Sequence, residues 1–421
     1  MDYLSSRRSS QLSNEPLMIS RYDILNMHIQ NEKDAAECRA VTESSNRGET
    51  YYANDGRPGN EKISDFHMAF FKEVLYRDTK TAGFMMEYPH GIVISQGERN
   101  SYFRGENQVY SKSQPSLYRA LEKFSSSTDK EIYRFIANMR IAEFGIMLCR
   151  LGIVQFWLQN YGSVLFEPLA QHYGLETEWL DITSDFDVAL FFATCKWQDG
   201  KWQPLDEDDI RKNPNGVIFH IPQWQAQYSS IMGSLEVSGM ENETILNNMI
   251  LPIGYQPFMR CHSQYAYGIH MKNPFPLQED YTFEKLHFKH SVELSKSVFE
   301  MMDGGKKIYP QEGLDEFADN IEAIKSATTF SEEAFNYVFE EKNTLGITKK
   351  EICNLIETNQ VLGKPVYITG ENHPFRLSRA QICRVNKQYV GFSIEKAYGI
   401  KLKSRMVYIC LLYTSPSPRD T

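Results

Sequence analysis

No two of the seven cysteines, at positions 38, 149, 195, 261, 353, 383 and 410, stand at C-x-x-C spacing. That excludes the usual thiolate zinc site and gives no disulfide framework. Several sit in apolar runs, where a free thiol serves as a small core group, so a reducing, cytoplasmic setting is expected. Long hydrophobic runs are lacking too. The most apolar stretch, Phe144 to Leu158, is broken by Arg150 and Gln155 and is too short to span a bilayer. It is expected to be a buried helix, with no membrane partner. The N-terminus M-D-Y-L-S-S-R-R-S-S-Q has no apolar core segment, so no signal peptide is expected. Positive charge is in deficit: 45 Lys and Arg against 54 Asp and Glu, a formal charge of −9. Non-specific nucleic-acid binding by the main part of the chain is therefore disfavoured.

Several catalytic signatures are missing as well. Gly304-Gly305-Lys306-Lys307 lacks the upstream glycine and the Ser or Thr of a P-loop. There is no G-x-G-x-x-G, H-E-x-x-H or nucleophile elbow. His287 and His290 form an H-x-x-H, but on a strand they point to opposite faces, so no metal is expected.

What is present is a globular composition, 42% hydrophobic and 24% charged over 421 residues, enough for two or three domains. Residues 1–63 are polar and expected to be partly disordered, with a weak helical pattern over 17–39. Residues 64–328 read as the main domain. Asp65 caps a helix through Met68, Phe71, Val74 and Leu75. Ile92-Val93-Ile94 and Ser101-Tyr102-Phe103-Arg104 read as strands, and Asp129 to about Leu158 as one long helical region capped by Ser127, Thr128 or Asp129. A helix starting at Pro168 closes at Gly174, Trp179–Thr183 is a strand, and Ser184 opens a further helix. Asp206-Glu207-Asp208-Asp209 reads as a solvated acidic loop. Strands follow at Val217–Ile221, Tyr265–His270 and Leu286–Phe288, and helices at Val292–Met302 and Leu314–Ile324. Residues 329–409 read as a small helical or mixed region, with helices capped by Ser331 and Thr348. The fold class expected is α+β, a mixed sheet with flanking helices. Residues 410–421, C-L-L-Y-T-S-P-S-P-R-D-T, resemble a translated sequencing-adapter read-through, and the native sequence is expected to differ beyond Ile409.

Two places carry polar chemistry. On the first strand Tyr102 and Arg104 share one face and Phe103 takes the other. Arg104 can fork hydrogen bonds to a phosphate, or to an internal carboxylate such as Asp181. Gly105 lets a backbone or ligand approach. At the second, Ser184 and Asp187 match a capping box, and Asp185 adds charge near the helix start. His172 and Tyr173 end the preceding helix. Asp181, in an apolar strand, needs a partner, and Arg104 or His172 is the natural one. Further along, Arg376, Arg379, Arg384, Lys387, Lys396, Lys401, Lys403 and Arg405 are interleaved with Phe375, Tyr389, Phe392 and Tyr398. That is either a solvated face or a phosphate- or nucleic-acid-binding one.

Phe103-Arg104-Gly105, followed by His172, Tyr173, Gly174, Leu175, Thr177, Leu180, Asp181, Thr183, Ala189, Leu190, Phe192 and Ala193, resembles the FRG domain family. Leu117-Tyr118-Arg119, the Arg260, Gln264, Gly268 segment and Ile308-Tyr309-Pro310 extend the likeness over roughly residues 95–325. Glu178-Trp179 and Ile182 depart from it. The order of Arg104-Gly105, Thr183-Ser184 and Val188-Ala189-x-x-Phe192-Ala193 is also similar, at a distance, to Arg-Ser-Glu mono-ADP-ribosyltransferases. That likeness implies NAD as a substrate. Arg104, Gly105, Tyr173, Thr183, Ser184 and Gln264 would bind it, with His172 and Asp181 as catalytic residues. The carboxylate such enzymes place in a Q/E-x-E is not found: Gln264-Tyr265-Ala266 has alanine there, Glu176-Thr177-Glu178 comes too early, and Glu241-Asn242-Glu243 reads as loop. The alternatives are a recognition module built on a buried polar network, binding a protein partner, or nucleic-acid binding through the basic stretch.

Overall fold

Strand alternation around Tyr102 and Phe103 sets the architecture. The computed structural model describes residues 82–88, 91–96, 101–160, 163–222, 248–271, 275–280, 283–343, 346–358, 361–370, 374–393, 396–397 and 401–402. The expected N-terminal region with its helices over 17–39 and 65–75 lies outside the described residues. So do Glu241-Asn242-Glu243, Tyr398, Lys403, Arg405 and the tail.

The hairpin β1 (Ala82–Tyr88) and β2 (Gly91–Gln96) leads into β3 (Ser101–Glu106). Helix α1 (Ser116–Leu121) precedes α2 (Ser127–Leu148), whose cap is Ser126: its hydroxyl accepts from Asp129 N at 3.3 Å. The single long helix expected to Leu158 is two helices. The chain turns by 92° after α2 and resumes as α3 (Gly152–Asn160), whose first N–H donates to Asn386 Oδ1 at 2.9 Å. Among the described residues no single helix is long and apolar enough to cross a membrane. Helix α4 (Phe166–His172) ends at Gly174, where φ is +81°. Strand β4 (Trp179–Thr183) then feeds α5 (Phe186–Thr194).

The hairpin β5 (Cys195–Gln198) and β6 (Lys201–Pro204) turns at Asp199-Gly200, both at positive φ. The expected acidic loop is instead a helix, α6 (Glu207–Lys212). Asp206 and Asp209 form its capping box, and the Lys196 ammonium pairs with both carboxylates. Strands β7 (Asn215–Pro222), β8 (Asn248–Pro252), β9 (Ala266–Met271) and β10 (Glu284–Lys289) complete the main sheet, with α7 (Met259–Ser263) between β8 and β9. Helix α8 (Val292–Met301) follows. The expected Leu314–Ile324 helix is a 3₁₀ turn, Gly313–Phe317, running into α9 (Ala318–Lys325). Helices α10 (Glu332–Lys342, capped by Ser331), α11 (Lys349–Thr358, started by Thr348) and α12 (Arg379–Gln388) close the described chain.

The six strands lie in the order β10-β7-β3-β4-β9-β8, antiparallel at every pairing. Among the described residues, parallel pairing is confined to two short ladders, Ala82-Gly83 with Lys401-Leu402 and Thr329-Phe330 with Tyr367-Ile368. Helices flank this sheet, so the fold is α+β. On one face Phe103, Ile218, Leu286 and Phe288 pack against α5 and α8. On the other, Tyr102, Leu180, Ile182, Phe219 and Ile269 pack against α1 and α2. Beyond residue 329, α10 and α11 share a core with α2 through Phe335, Val338 and Ile352 against Ile132, Phe135 and Met139. The basic stretch is solvated on one side: Arg376, Arg379, Arg384, Lys387 and Lys396 are exposed. Its aromatics Phe375, Tyr389 and Phe392 are half-buried and pack against the core.

Candidate functional site

The main sheet is held together at its middle by one residue pair. β3 pairs with β7 over six positions and β4 with β9 over five, yet β3 and β4 pair only at Phe103 and Thr183. Past that bridge the halves separate, and the guanidinium of Arg104 occupies the gap. Its Nη1 donates to the Asp181 backbone carbonyl at 2.7 Å and its Nε to Glu106 Oε1 at 2.8 Å. Glu106 is buried, and its other oxygen accepts from Ser113 Oγ at 2.6 Å. The arginine thus pairs with Glu106 two residues on, not with the Asp181 carboxylate expected from sequence. An acidic residue two positions along the same strand face is the signal that would have found it.

A cleft of about 420 Å³ opens at this gap. Arg104, Gly105, His172, Asp181, Thr183 and Gln264 all line it, so six of the eight residues singled out in the sequence come together. Gly105 has a structural reason as well, since a Cβ there would meet the Ala189 carbonyl oxygen at 1.7 Å. The Thr183 hydroxyl is already used: it donates to the Gln264 carbonyl at 2.7 Å and accepts from Asp185 N at 3.0 Å. His172 Nδ1 lies 2.9 Å from Gln264 Oε1, and its Nε2 lies 3.7 Å from Asp181 Oδ1.

Tyr173 and Ser184 do not line the cleft. Ser184 is fully buried and its N–H donates to the Tyr265 carbonyl at 3.1 Å. The cap of α5 is Asp185, whose Oδ1 accepts from Asp187 N and Val188 N. The expected Ser184–Asp187 capping box is therefore corrected by one residue: the backbone of Ser184 is held by the neighbouring loop. The Tyr173 ring lies under Arg260, 4.0 Å from its guanidinium carbon, and its hydroxyl donates to Glu312. Glu312 also accepts from Met259 N at 2.7 Å, and burial pushes its carboxyl above the ordinary range. Of the early E-x-E pair, Glu176 accepts from Tyr133 and Glu178 pairs with Arg134.

The cleft also has an aromatic wall, and sequence reasoning missed it. Trp197 and Trp202 face each other across the β5–β6 hairpin with ring centroids 5.5 Å apart. Phe192 and Tyr309 extend the cluster at 5.6 and 5.5 Å from Trp202, and all four rings line the cleft. Burial pushes the Tyr309 hydroxyl up to about 12, so it stays protonated at neutral pH. The Asp199-Gly200 dipeptide between two tryptophans was the available signal, a type I′ hairpin turn.

Cys195 also lines the cleft, but burial pushes its thiol up to about 12. At about pH 8 it therefore holds almost no thiolate. Mass-mapped alkylation of the native protein is expected to label the exposed Cys383 and to spare Cys195. Equal labelling would mean that the aromatic hairpin opens readily.

Among the described residues no group of three or more His, Cys, Asp or Glu side chains could hold a metal ion. Residues 99–201 match the FRG domain family model, so the chain carries an FRG domain there. The match takes in Arg104, His172, Asp181 and Thr183 and stops before Gln264 and Tyr309. It gives no likeness to ADP-ribosyltransferases. No curated protein and no solved structure matches the chain.

Proposed function

We propose that the cleft binds a nucleotide, with its planar ring on the aromatic wall and its sugar and phosphate on the polar wall. The carrying observation is convergence. Arg104, from β3, meets His172 and Asp181, from the later segment α4–β4, in one cleft that four aromatic rings also line. An aromatic wall suits a base or a nicotinamide ring, and a guanidinium suits a phosphate. The specific version is cleavage of NAD at its ribosyl–nicotinamide bond. Positive charge then develops on the ribose, and a carboxylate beside it, Asp181, stabilises that charge. In hydrolysis, water attacks the anomeric carbon as nicotinamide leaves, and Asp181 takes the water's proton. In transfer, an acceptor nucleophile takes the water's place.

A second reading is favoured by one feature. The Arg104 fork is already engaged by Glu106 and by a backbone carbonyl, as in a structural network. On that reading the cleft recognises a ligand or a protein partner without chemistry. Calorimetric titration with NAD and with ADP-ribose, together with chromatographic assay of nicotinamide release, separates the two. The nucleotide reading expects binding that falls at least about tenfold in Arg104→Ala. Binding without nicotinamide release supports the recognition module, and no binding of either compound refutes the nucleotide reading.

A further inference from the structure

The polar residues of the cleft are arranged in depth. The His172 side chain is 3% exposed and that of Asp181 34%, so the imidazole stands behind the carboxylate. Behind His172 stands Gln264, whose Nε2 donates to the Ile308 carbonyl at 3.1 Å. A carbonyl only accepts, so the amide's NH₂ end is fixed there and its oxygen must face His172. That oxygen also only accepts. Its 2.9 Å contact with Nδ1 therefore places the imidazole proton on Nδ1 and leaves Nε2 of the neutral ring bare. Nε2 points at Asp181 Oδ1, 3.7 Å away, and neither atom has another hydrogen-bond partner among the described residues. The backbone is pinned on both sides: Arg260 Nη1 donates to the His172 carbonyl at 2.9 Å, and Thr183 Oγ1 donates to that of Gln264.

We infer that Asp181 is the member of this relay that meets the ligand, and that His172 and Gln264 are positioning residues behind it. Gln264 fixes the imidazole proton on Nδ1. Nε2 is then the bare ring nitrogen of the relay, and it is aimed at the Asp181 carboxylate. The relay is fixed from Ile308 to the imidazole, and its Asp181 end is the most exposed to the cleft. An ionised carboxylate only accepts hydrogen bonds, so the ligand group it takes is a donor. On the nucleotide reading, on which this identification rests, that donor is a ribose hydroxyl.

Nitrogen-15 NMR of the wild-type protein at about pH 9, above the ordinary imidazole range, tests the relay without any ligand. The expected spectrum shows His172 protonated at Nδ1 and bare at Nε2. Gln264→Leu is expected to move the proton toward Nε2 in a protein whose melting profile shows it folded. A wild-type proton on Nε2 overturns the relay, whether or not the variant folds. The second arm uses ADP-ribose as the probe. Asp181→Asn is expected to lose at least about tenfold in affinity, and Gln264→Leu less than that. Unchanged binding in Asp181→Asn overturns the assignment of Asp181. If ADP-ribose fails to bind the wild type while the Nδ1 proton is in place, the nucleotide reading fails and the relay stands.

Discussion

Gly105→Ala is expected to cost about 3 kcal/mol or more, at the top of the range for overpacked sites. The added Cβ would lie 1.7 Å from the Ala189 carbonyl oxygen, 2.7 Å from its carbon and 2.9 Å from Ala193 N. All three are backbone atoms of α5, so no side chain can rotate away, and the helix itself must shift. That helix carries Phe186, which packs edge-on against Phe103 at 5.5 Å, and Phe192 of the aromatic wall. The substitution therefore strikes the core and the cleft together. A loss of that size lowers the melting temperature by about 6–12 °C in a domain of 150–250 residues. Thermal and urea denaturation of the two proteins check it. A difference under about 1 kcal/mol would mean that β3 and α5 are not so closely packed.

The second large effect is expected at Glu106. Glu106→Ala takes the carboxylate from Arg104 Nε and from Ser113 Oγ at once. Removing one partner of a buried ion pair typically costs about 3–5 kcal/mol. Arg104 is 21% exposed and retains some solvent, which brings the expectation to about 2–3 kcal/mol. Glu106→Gln keeps an acceptor for the arginine and is expected to lose less than half of that. Denaturant titration distinguishes the three proteins. Equal stability of wild type and Glu106→Ala would show that Glu106 is not needed to hold Arg104 in its bridge from β3 to the Asp181 carbonyl.

Much of this arrangement was legible in the sequence. Strand β4 was read at its observed bounds because its apolar residues are bracketed by helix-stop and helix-start signals. Opposite faces for Tyr102 and Phe103 followed from strand period alone. The convergence of Arg104, His172 and Asp181 came through the family resemblance, since local pattern does not reveal which strands become neighbours. The misses have local causes. Ser184 looked like the better helix cap, but its N–H is taken by Tyr265, and Asp185 caps instead. Helix-compatible apolar residues recur on both sides of Arg150-Leu151-Gly152, so periodicity ran through the 92° turn between α2 and α3. The acidic run at Asp206 became a helix because Asp206 and Asp209 cap it and Lys196 offsets their charge. Glu106 lay within reach of the strand-period rule, two residues from Arg104 on the same face, whereas no spacing rule joins the two tryptophans to Arg104.

The central claim is that a nucleotide occupies the cleft between Arg104 and the aromatic wall. A crystal of the protein soaked with ADP-ribose tests it most directly. The account predicts density for the adenine or ribose ring against Trp202 or Tyr309, with a ribose hydroxyl within hydrogen-bond distance of Asp181. Ligand density at any other place on the protein, with this cleft left unchanged, would contradict it.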